Sequence, residues 1–221
     1  MIIDNRIIEI IKSSFFPILK SGIIYTIPIT LISFGLGLLI GIFVALIQIS
    51  QLKILKLFVK FYVWIFRGTP LLVQLFIIFY GLPSIAVRLD PIPSAIIAFS
   101  LNVGAYSSET IRAAILSISK GQWEASYAIG MNYYQALTRT IIPQAARVSI
   151  PPLFNSFISL VKDTSLAATI TVTEMFMETQ RIVARTYEPL VLYCEVALIY
   201  LFFCTILSQI QKYSEKRLSV E

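Results

Sequence analysis

Glu109 is a carboxylate inside an otherwise apolar stretch, where a charge is costly unless something pairs with it. Arg112, three residues on, would share its helical face and could neutralise it. Asn102 and Tyr106 precede it at spacings of seven and three, which puts amide, phenol and carboxylate in one stripe. Facing a transport path, that stripe would present polar groups to a zwitterion; facing a neighbouring helix, it would hold spans together by hydrogen bonds. Neither role is catalysis. The chain has no histidine, so it lacks an imidazole metal site, a Ser-His or Cys-His pair and an imidazole proton relay. No nucleophile stands beside a base, no cluster has metal-ligand spacing, and no glycine-rich phosphate loop occurs. No catalytic or metal-binding residue is therefore expected, and any ATP must sit on another polypeptide. Cys194 and Cys204, ten residues apart in one predicted helix, are about 15 Å apart along its axis, too far for a disulfide, and are read as ordinary core residues.

Gly121 to Pro143, GQWEASYAIGMNYYQALTRTIIP, is a polar and aromatic island between apolar stretches and must lie outside the hydrocarbon. Ser119 with Gln122, and Asn132 with Gln135, form two capping-box patterns, each able to start a short helix. Gly130 falls between them, where the first helix needs a residue that tolerates a left-handed cap. The pattern predicts helix, tight turn, helix. The small side chains of Ala125, Ser126 and Ala128 leave the first helix approachable by a partner's groove, with Trp123 and Tyr127 supplying contact area. The alternative is an amphipathic hairpin on the bilayer surface with no partner.

These residues must be positioned by membrane helices. Of 221 residues, 57% are hydrophobic and 14% charged, with a mean hydropathy of +0.81, more apolar surface than a soluble domain of this length could hide. The net charge of +6 is then a matter of location: basic residues at span ends set orientation and meet anionic lipid headgroups, and no nucleic-acid partner is expected. An uncharged run from Ser21 to Leu52 exceeds the roughly 20 residues that cross a bilayer, placing the first span at about 23–49 and ruling out a signal-peptide core. Further spans are predicted at about 57–82, 92–118, 144–162 and 189–211, with the polar loop at about 119–143. The expectation is an all-α integral membrane protein, a single transmembrane domain over 1–221 with about five helices. No internal repeat relates the halves, which weakens an inverted-repeat transporter.

Five crossings put the termini on opposite sides. With the C-terminus inside, Lys53, Lys56, Lys60, Lys120, Arg139, Arg147, Lys212, Lys216 and Arg217 are cytoplasmic, nine against the six of Arg6, Lys12, Lys20, Arg88, Arg181 and Arg185. The acids fall the same way, Asp4, Glu9, Asp90, Glu174, Glu178 and Glu188 outside, Glu124, Glu215 and Glu221 inside. Residues 162–188 are too polar for a clean span and too apolar for an ordinary loop. Lys162, Asp163, Thr164 and Ser165 read as the start of a re-entrant element lining the outer end of a pathway, or else of a flat amphipathic surface helix. Glu195 has no cation in register and must pair across helices, face water or be protonated. Arg67 is expected to snorkel toward the cytoplasm, and Pro70 to break or bend its helix.

Glu124, Ala125, Ser126, then Gly130, then Thr140, Ile141, Ile142 and Pro143 keep the spacing of the Glu-Ala-Ala, three residues, Gly, nine residues, Ile-x-Leu-Pro signature of ABC importer permeases. Ser126 stands for the second Ala, Thr140 for Ile and Ile142 for Leu. With Arg67-Gly68-Thr69-Pro70-Leu71 and Lys162-Asp163-Thr164-Ser165-Leu166, the chain resembles the polar amino-acid uptake branch of that family over most of its length. Leu89 to Ala95, Glu109 to Ile115, Lys120 to Ser126 and Ile158 to Ile170 most resemble its L-cystine permeases, with Ala113 and Ala114 where many relatives have Gly-Gly. The resemblance implies a type I ABC importer permease in a bacterial cell membrane. Its cytoplasmic coupling helix, carrying Glu124, Ala125, Ser126 and Gly130, would dock on an ATPase dimer that binds the ATP, leaving no cofactor in this chain. It further implies a second permease subunit, a second copy favoured over a paralogue, and an extracellular solute-binding protein delivering substrate, with L-cystine expected. Closure of the ATPases would then rock the spans between outward- and inward-facing states. The competing reading is an ion-coupled secondary transporter or channel acting without an ATPase, with Glu109 and Glu195 as coupling carboxylates.

Overall fold

The computed structural model describes residues 5–219, with side chains to Lys216; Asp4 and Glu221, and the side chain of Arg217, all assigned to a side above, lie outside what is described. Every regular element among the described residues is helical. In chain order, α1 (Asn5–Ser21) runs through a π-helical turn into α2 (Ile27–Ile49), followed by α3 (Lys53–Gly68), α4 (Leu71–Phe76) and α5 (Pro91–Ser117). Next come α6 (Lys120–Ala128), α7 (Tyr133–Ala136), α8 (Ile142–Asp163), α9 (Met175–Thr186) and α10 (Pro189–Ser219). Pro91 and Pro189 stand at the first position of their helices, where the missing N–H is not needed.

Helix boundaries depart from the sequence expectation in several places, the last helix among them, which runs to Ser219 where a span end near 211 is expected. The first helix does not begin near residue 23 but runs unbroken over Asn5–Ile49, 45 residues, because α1 is itself a strong amphipathic helix former despite Arg6, Glu9, Lys12 and Lys20. The predicted span 57–82 is not one helix: Thr69 is extended (φ −120°, ψ 146°), Pro70 cannot continue the ladder, and Lys53–Gly68 and Leu71–Ile85 meet at a bend of 108°. Lys162 and Asp163 close α8 instead of opening a new element. Among the described residues two helices qualify by length and apolarity to cross a membrane, Asn5–Ile49 and Pro189–Lys216, or three if the bent pair counts as one. The helices Pro91–Ser117 and Ile142–Asp163 match the predicted third and fourth ranges but carry more polar residues.

The chain forms two compact units. One comprises residues 5–34, 71–99 and 157–210. Its core is Ile18, Met175, Val196 and Ile199, and the π-helical turn after α1 passes the start of α9 so closely that a Cβ on Gly22 would lie 2.6 Å from the Met175 sulfur. Arg6 donates to the Thr186 carbonyl at 2.9 Å and lies 3.6 Å from Glu188. Ser14 Oγ donates to Glu195 Oε2 at 2.5 Å, so Glu195 does pair across helices. Glu174, counted among the acids of the outer side, is fully buried. It caps α9 by accepting the Met177 N–H at 2.8 Å and receives the Tyr200 hydroxyl at 2.8 Å, two bonds that make its burial tolerable. Cys194 is exposed and not a core residue, whereas Cys204 is half-buried.

The other unit comprises residues 35–70, 100–156 and 211–219. Here Gly37 and Gly41 of α2 face α5, and a Cβ on Gly104 would lie 2.7 Å from both Ile40 Cγ2 and the Tyr62 hydroxyl. Tyr62 in turn donates to the Leu101 carbonyl at 2.6 Å, tying α3 to α5.

Candidate functional site

The polar island folds as the predicted hairpin, with one difference at its start. Ser119 holds the N-cap position of α6, but its side chain makes no capping bond; its carbonyl accepts the Gln122 N–H at 3.1 Å. The Gln122 side chain is engaged elsewhere, accepting from Gln144 Nε2 at 3.2 Å, so this capping box does not form. The second one does. Asn132 Oδ1 accepts the Gln135 N–H and Gln135 Oε1 accepts the Asn132 N–H, both at 3.0 Å.

Gly130 sits at φ +85° and ends α6 in a Schellman motif: its N–H reaches the Tyr127 carbonyl at 2.9 Å, and the Met131 N–H reaches Ser126 at 3.1 Å. The two arms are clamped by Trp123 stacked on Tyr133, centroids 5.6 Å apart and 17° from parallel. Burial, with the phenols of Tyr127 and Tyr134 close by, pushes the Tyr133 hydroxyl above its ordinary range. Trp123 therefore serves the hairpin's interior more than an outside partner. Ser126 is also turned inward, its hydroxyl donating to the Gln122 carbonyl at 2.8 Å and lying 3.0 Å from the Thr140 hydroxyl. What the first arm presents outward is Glu124, Ala125, Tyr127, Ala128 and Ile129, the last 74% exposed. Behind the hairpin, Leu137, Ile141 and Ala145 share a core with Ala114 and Ile115 of α5 and with Ile49. A force on the hairpin is thus delivered to the ends of α2, α5 and α8 together.

The stripe on α5 faces the end of α3. Asn102 Nδ2 lies 3.4 Å from the Phe66 carbonyl, and the Tyr106 ring carries the Arg67 guanidinium 5.4 Å from its centroid. Glu109 is the hub. It receives Arg112 Nη2 at 2.7 Å and Gln48 Nε2 at 2.8 Å, and Arg67 Nη1 stands 3.8 Å away. The in-register Arg112 pairing is as expected. Arg67 does not simply snorkel, and neither it nor Gln48 can be found from the spacing on α5, because both come from other helices; the only signal is Arg67's place next to the Gly-Thr-Pro break. Two guanidinium groups on one carboxylate leave the cluster with a net positive charge, and Arg67 and Arg112 remain more than a third exposed.

The second set of predicted residues lies in the other unit. Lys162 and Ser165 line a groove of 680 Å³ with Phe176, Tyr193, Tyr200 and Cys204. Thr164 is fully buried and donates to the Val161 carbonyl at 2.7 Å, and Asp163 is half-buried at the end of α8. The four residues therefore divide between a groove wall and the core. No cluster of His, Cys, Asp and Glu able to hold a metal ion occurs among the described residues.

The family described as the binding-protein-dependent transport system inner membrane component matches residues 37–220. The chain belongs to that family. This inner-membrane component is 56% identical over 211 residues to the L-cystine transport system permease protein TcyB of Bacillus subtilis (strain 168), covering 95% of this chain and 90% of that one. It is 40% identical to the probable amino-acid ABC transporter permease protein YckA of the same organism, over 91% and 89% of the two chains. The crystal structure of an amino acid ABC transporter with histidines superimposes with a TM-score of 0.89 at 32% identity, covering 93% of this chain and 96% of that one. The inward-facing MetNI methionine ABC transporter gives 0.76 at 18% identity over 91% and 96%, a likeness of fold alone. The type I importer permease fold expected from the sequence is thus the fold of this chain. The permease is a transport subunit and not an enzyme, and ATP is hydrolysed by a separate subunit. None of these likenesses favours a transporter that works without an ATPase.

Proposed function

We propose that this permease forms, as a pair of identical copies, the membrane pathway of an ATP-driven importer of L-cystine. The observation that carries the substrate is the 56% identity to an L-cystine permease, sustained over nearly the full length of both chains. An extracellular binding protein delivers cystine, two cytoplasmic ATPases bind ATP, and the spans alternate access. The N-terminus lies outside and the C-terminus inside, in keeping with the nine-to-six distribution of basic residues. The α6 arm docks on the ATPase through Glu124, Ala125 and the backbone around Gly130, while Ser126 shapes that arm from within. Asn102, Tyr106 and Glu109, and Lys162 to Ser165 around the groove, belong to the substrate pathway; a carboxylate held between two guanidinium groups leaves positive charge to meet a substrate carboxylate.

The test is reconstitution of the permease with its ATPase in vesicles, with the binding protein added outside. Uptake of labelled L-cystine should require ATP and the binding protein and should be blocked by excess unlabelled L-cystine but not by L-methionine. Uptake driven by an ion gradient without ATP would overturn the importer reading, and ATP-driven uptake of a different amino acid alone would overturn the substrate.

A further inference from the structure

Helix α3 has three faces: one packs on α5, one carries a basic row whose far end, Arg67, meets Glu109 and Tyr106, and one is apolar and exposed. Val63 is buried and Tyr62 is bonded to α5, which defines the inner face. At 3.6 residues per turn, Lys53, Lys56, Lys60 and Arg67 fall within an arc of about 60° beside it, and the arc of about 120° beyond them holds Ile54, Leu57, Phe58, Phe61 and Trp64. Those five apolar side chains are each 59% exposed or more, and Phe61 and Trp64 stack on one another with centroids 5.9 Å apart. The helix contains no acid, and among the described residues Lys53, Lys56 and Lys60 pair with no carboxylate. Sixteen residues make about 24 Å of helix, short of the roughly 30 Å hydrocarbon, and the chain breaks at Thr69 and Pro70 directly after it.

We infer that α3 is an interfacial helix that binds anionic phospholipid of the cytoplasmic leaflet. Its apolar arc rests among the upper acyl chains while Lys53, Lys56 and Lys60 contact headgroup phosphates. Charge decides the occupant. A second copy of this chain would bring the same row of lysines, unlike the phosphate surface, which supplies what the row lacks. A helix crossing the bilayer would carry Lys60 about 10 Å and Arg67 about 21 Å deeper than Lys53, whereas a helix lying in the plane holds the whole row at one depth. The inference rests on the orientation proposed above, which places Lys53, Lys56 and Lys60 on the cytoplasmic side.

The experiment uses the assembled transporter, with accessible cysteines replaced, in vesicles of equal phosphatidylcholine and phosphatidylglycerol. A bimane label is placed on Ile54→Cys or Trp64→Cys and quenched by lipid brominated either near the glycerol or near the methyl end. Both labels should be quenched best by the shallow bromines. Brominated phosphatidylglycerol should quench at a mole fraction at least ten-fold lower than brominated phosphatidylcholine, since each lysine near an anionic surface contributes about five-fold. Lys53→Gln, Lys56→Gln and Lys60→Gln together should bring that ratio near one while the complex still assembles. Shallow quenching at 54 with deep quenching at 64 would make α3 a crossing helix and overturn the inference. Absence of quenching by either lipid would mean protein covers the face, and would overturn it too. A Gln51→Cys variant labelled with an impermeant maleimide separates the underlying topology: labelling from outside intact cells sinks the cytoplasmic placement, whereas labelling only from inside leaves the quenching result to stand on its own.

Discussion

Gly130→Val isolates backbone conformation from contact in the α6–α7 hairpin proposed to dock on the ATPase. At φ +85° the residue is left-handed, yet a Cβ built there meets no heavy atom within 4 Å, so the penalty is conformational and not a clash. For an L-residue it is about 1–2 kcal/mol, with a β-branched side chain at the upper end and asparagine well below it, since its short amide bonds locally. If the substituted valine leaves the left-handed region, the 2.9 Å and 3.1 Å bonds that close α6 are lost, and with them the approach to the Asn132 capping box. An energy of about 1–2 kcal/mol lowers the ratio of closed to open hairpin by about 5- to 30-fold. The assay is copurification of a tagged ATPase with the permease, alongside ATP-driven uptake, for glycine, asparagine, alanine and valine at this position, at equal levels in the membrane. Retention should fall in that order, with asparagine close to glycine. Valine equal to glycine in both measurements would refute a docking role for the hairpin, and asparagine as poor as valine would show that side-chain size, not backbone conformation, matters here.

Glu109→Gln leaves Arg67 and Arg112 short of a carboxylate; because both are partly exposed, the cost in assembly should stay below the about 3–5 kcal/mol of a fully buried broken pair. Glu109→Gln with Arg112→Gln should restore assembly but not uptake, and recovery of uptake would assign Glu109 to packing. A cysteine at Ser84 should be labelled from outside intact cells once the native cysteines are removed, and one at Tyr213 should not; the opposite pattern would invert the topology. Gly104→Ala forces a Cβ to within 2.7 Å of Ile40 and Tyr62 and should destabilise the detergent-solubilised permease by about 1–3 kcal/mol, whereas Gly35→Ala, with nothing within 4 Å, should leave its thermal transition unchanged.

Features governed by neighbours in sequence are legible without the structure. The Asn132 and Gln135 reciprocity, the Gly130 cap, the Pro70 break and the Glu109 with Arg112 pairing each depend on residues within four positions, and all four stand in the structure. What the sequence hides depends on packing. Ser119 has the capping pattern of Asn132, but Gln144, twenty-two residues from Gln122, takes the side chain on which reciprocity depends. The burial of Glu174 depends in part on Tyr200, twenty-six residues away, whose hydroxyl bonds its carboxylate, and no local pattern announces that. Arg67 and Gln48 reach Glu109 from helices whose register against α5 is set by the close approach at Gly104, and no spacing along one chain segment encodes that. The start of α1 is hidden for another reason: charged residues end the hydropathy run while helix periodicity continues through them.

The core behind the hairpin also fixes an order of synthesis. Trp123 and Ile115 emerge from the ribosome early, but Leu137, Ile141 and Ala145, against which they pack, emerge later, and Tyr133 must arrive before Trp123 has a ring to stack on. Until Ala145 has been made, α6 is a nine-residue helix without its tertiary support, too short to persist alone in water. A partner that reads the shape of this hairpin therefore cannot grip a nascent chain that has yet to complete the start of α8. If the cytoplasmic subunit docks on this hairpin as proposed, its recruitment is deferred by the fold itself until translation has passed that point, and a chain truncated between α6 and α8 would offer it nothing to hold.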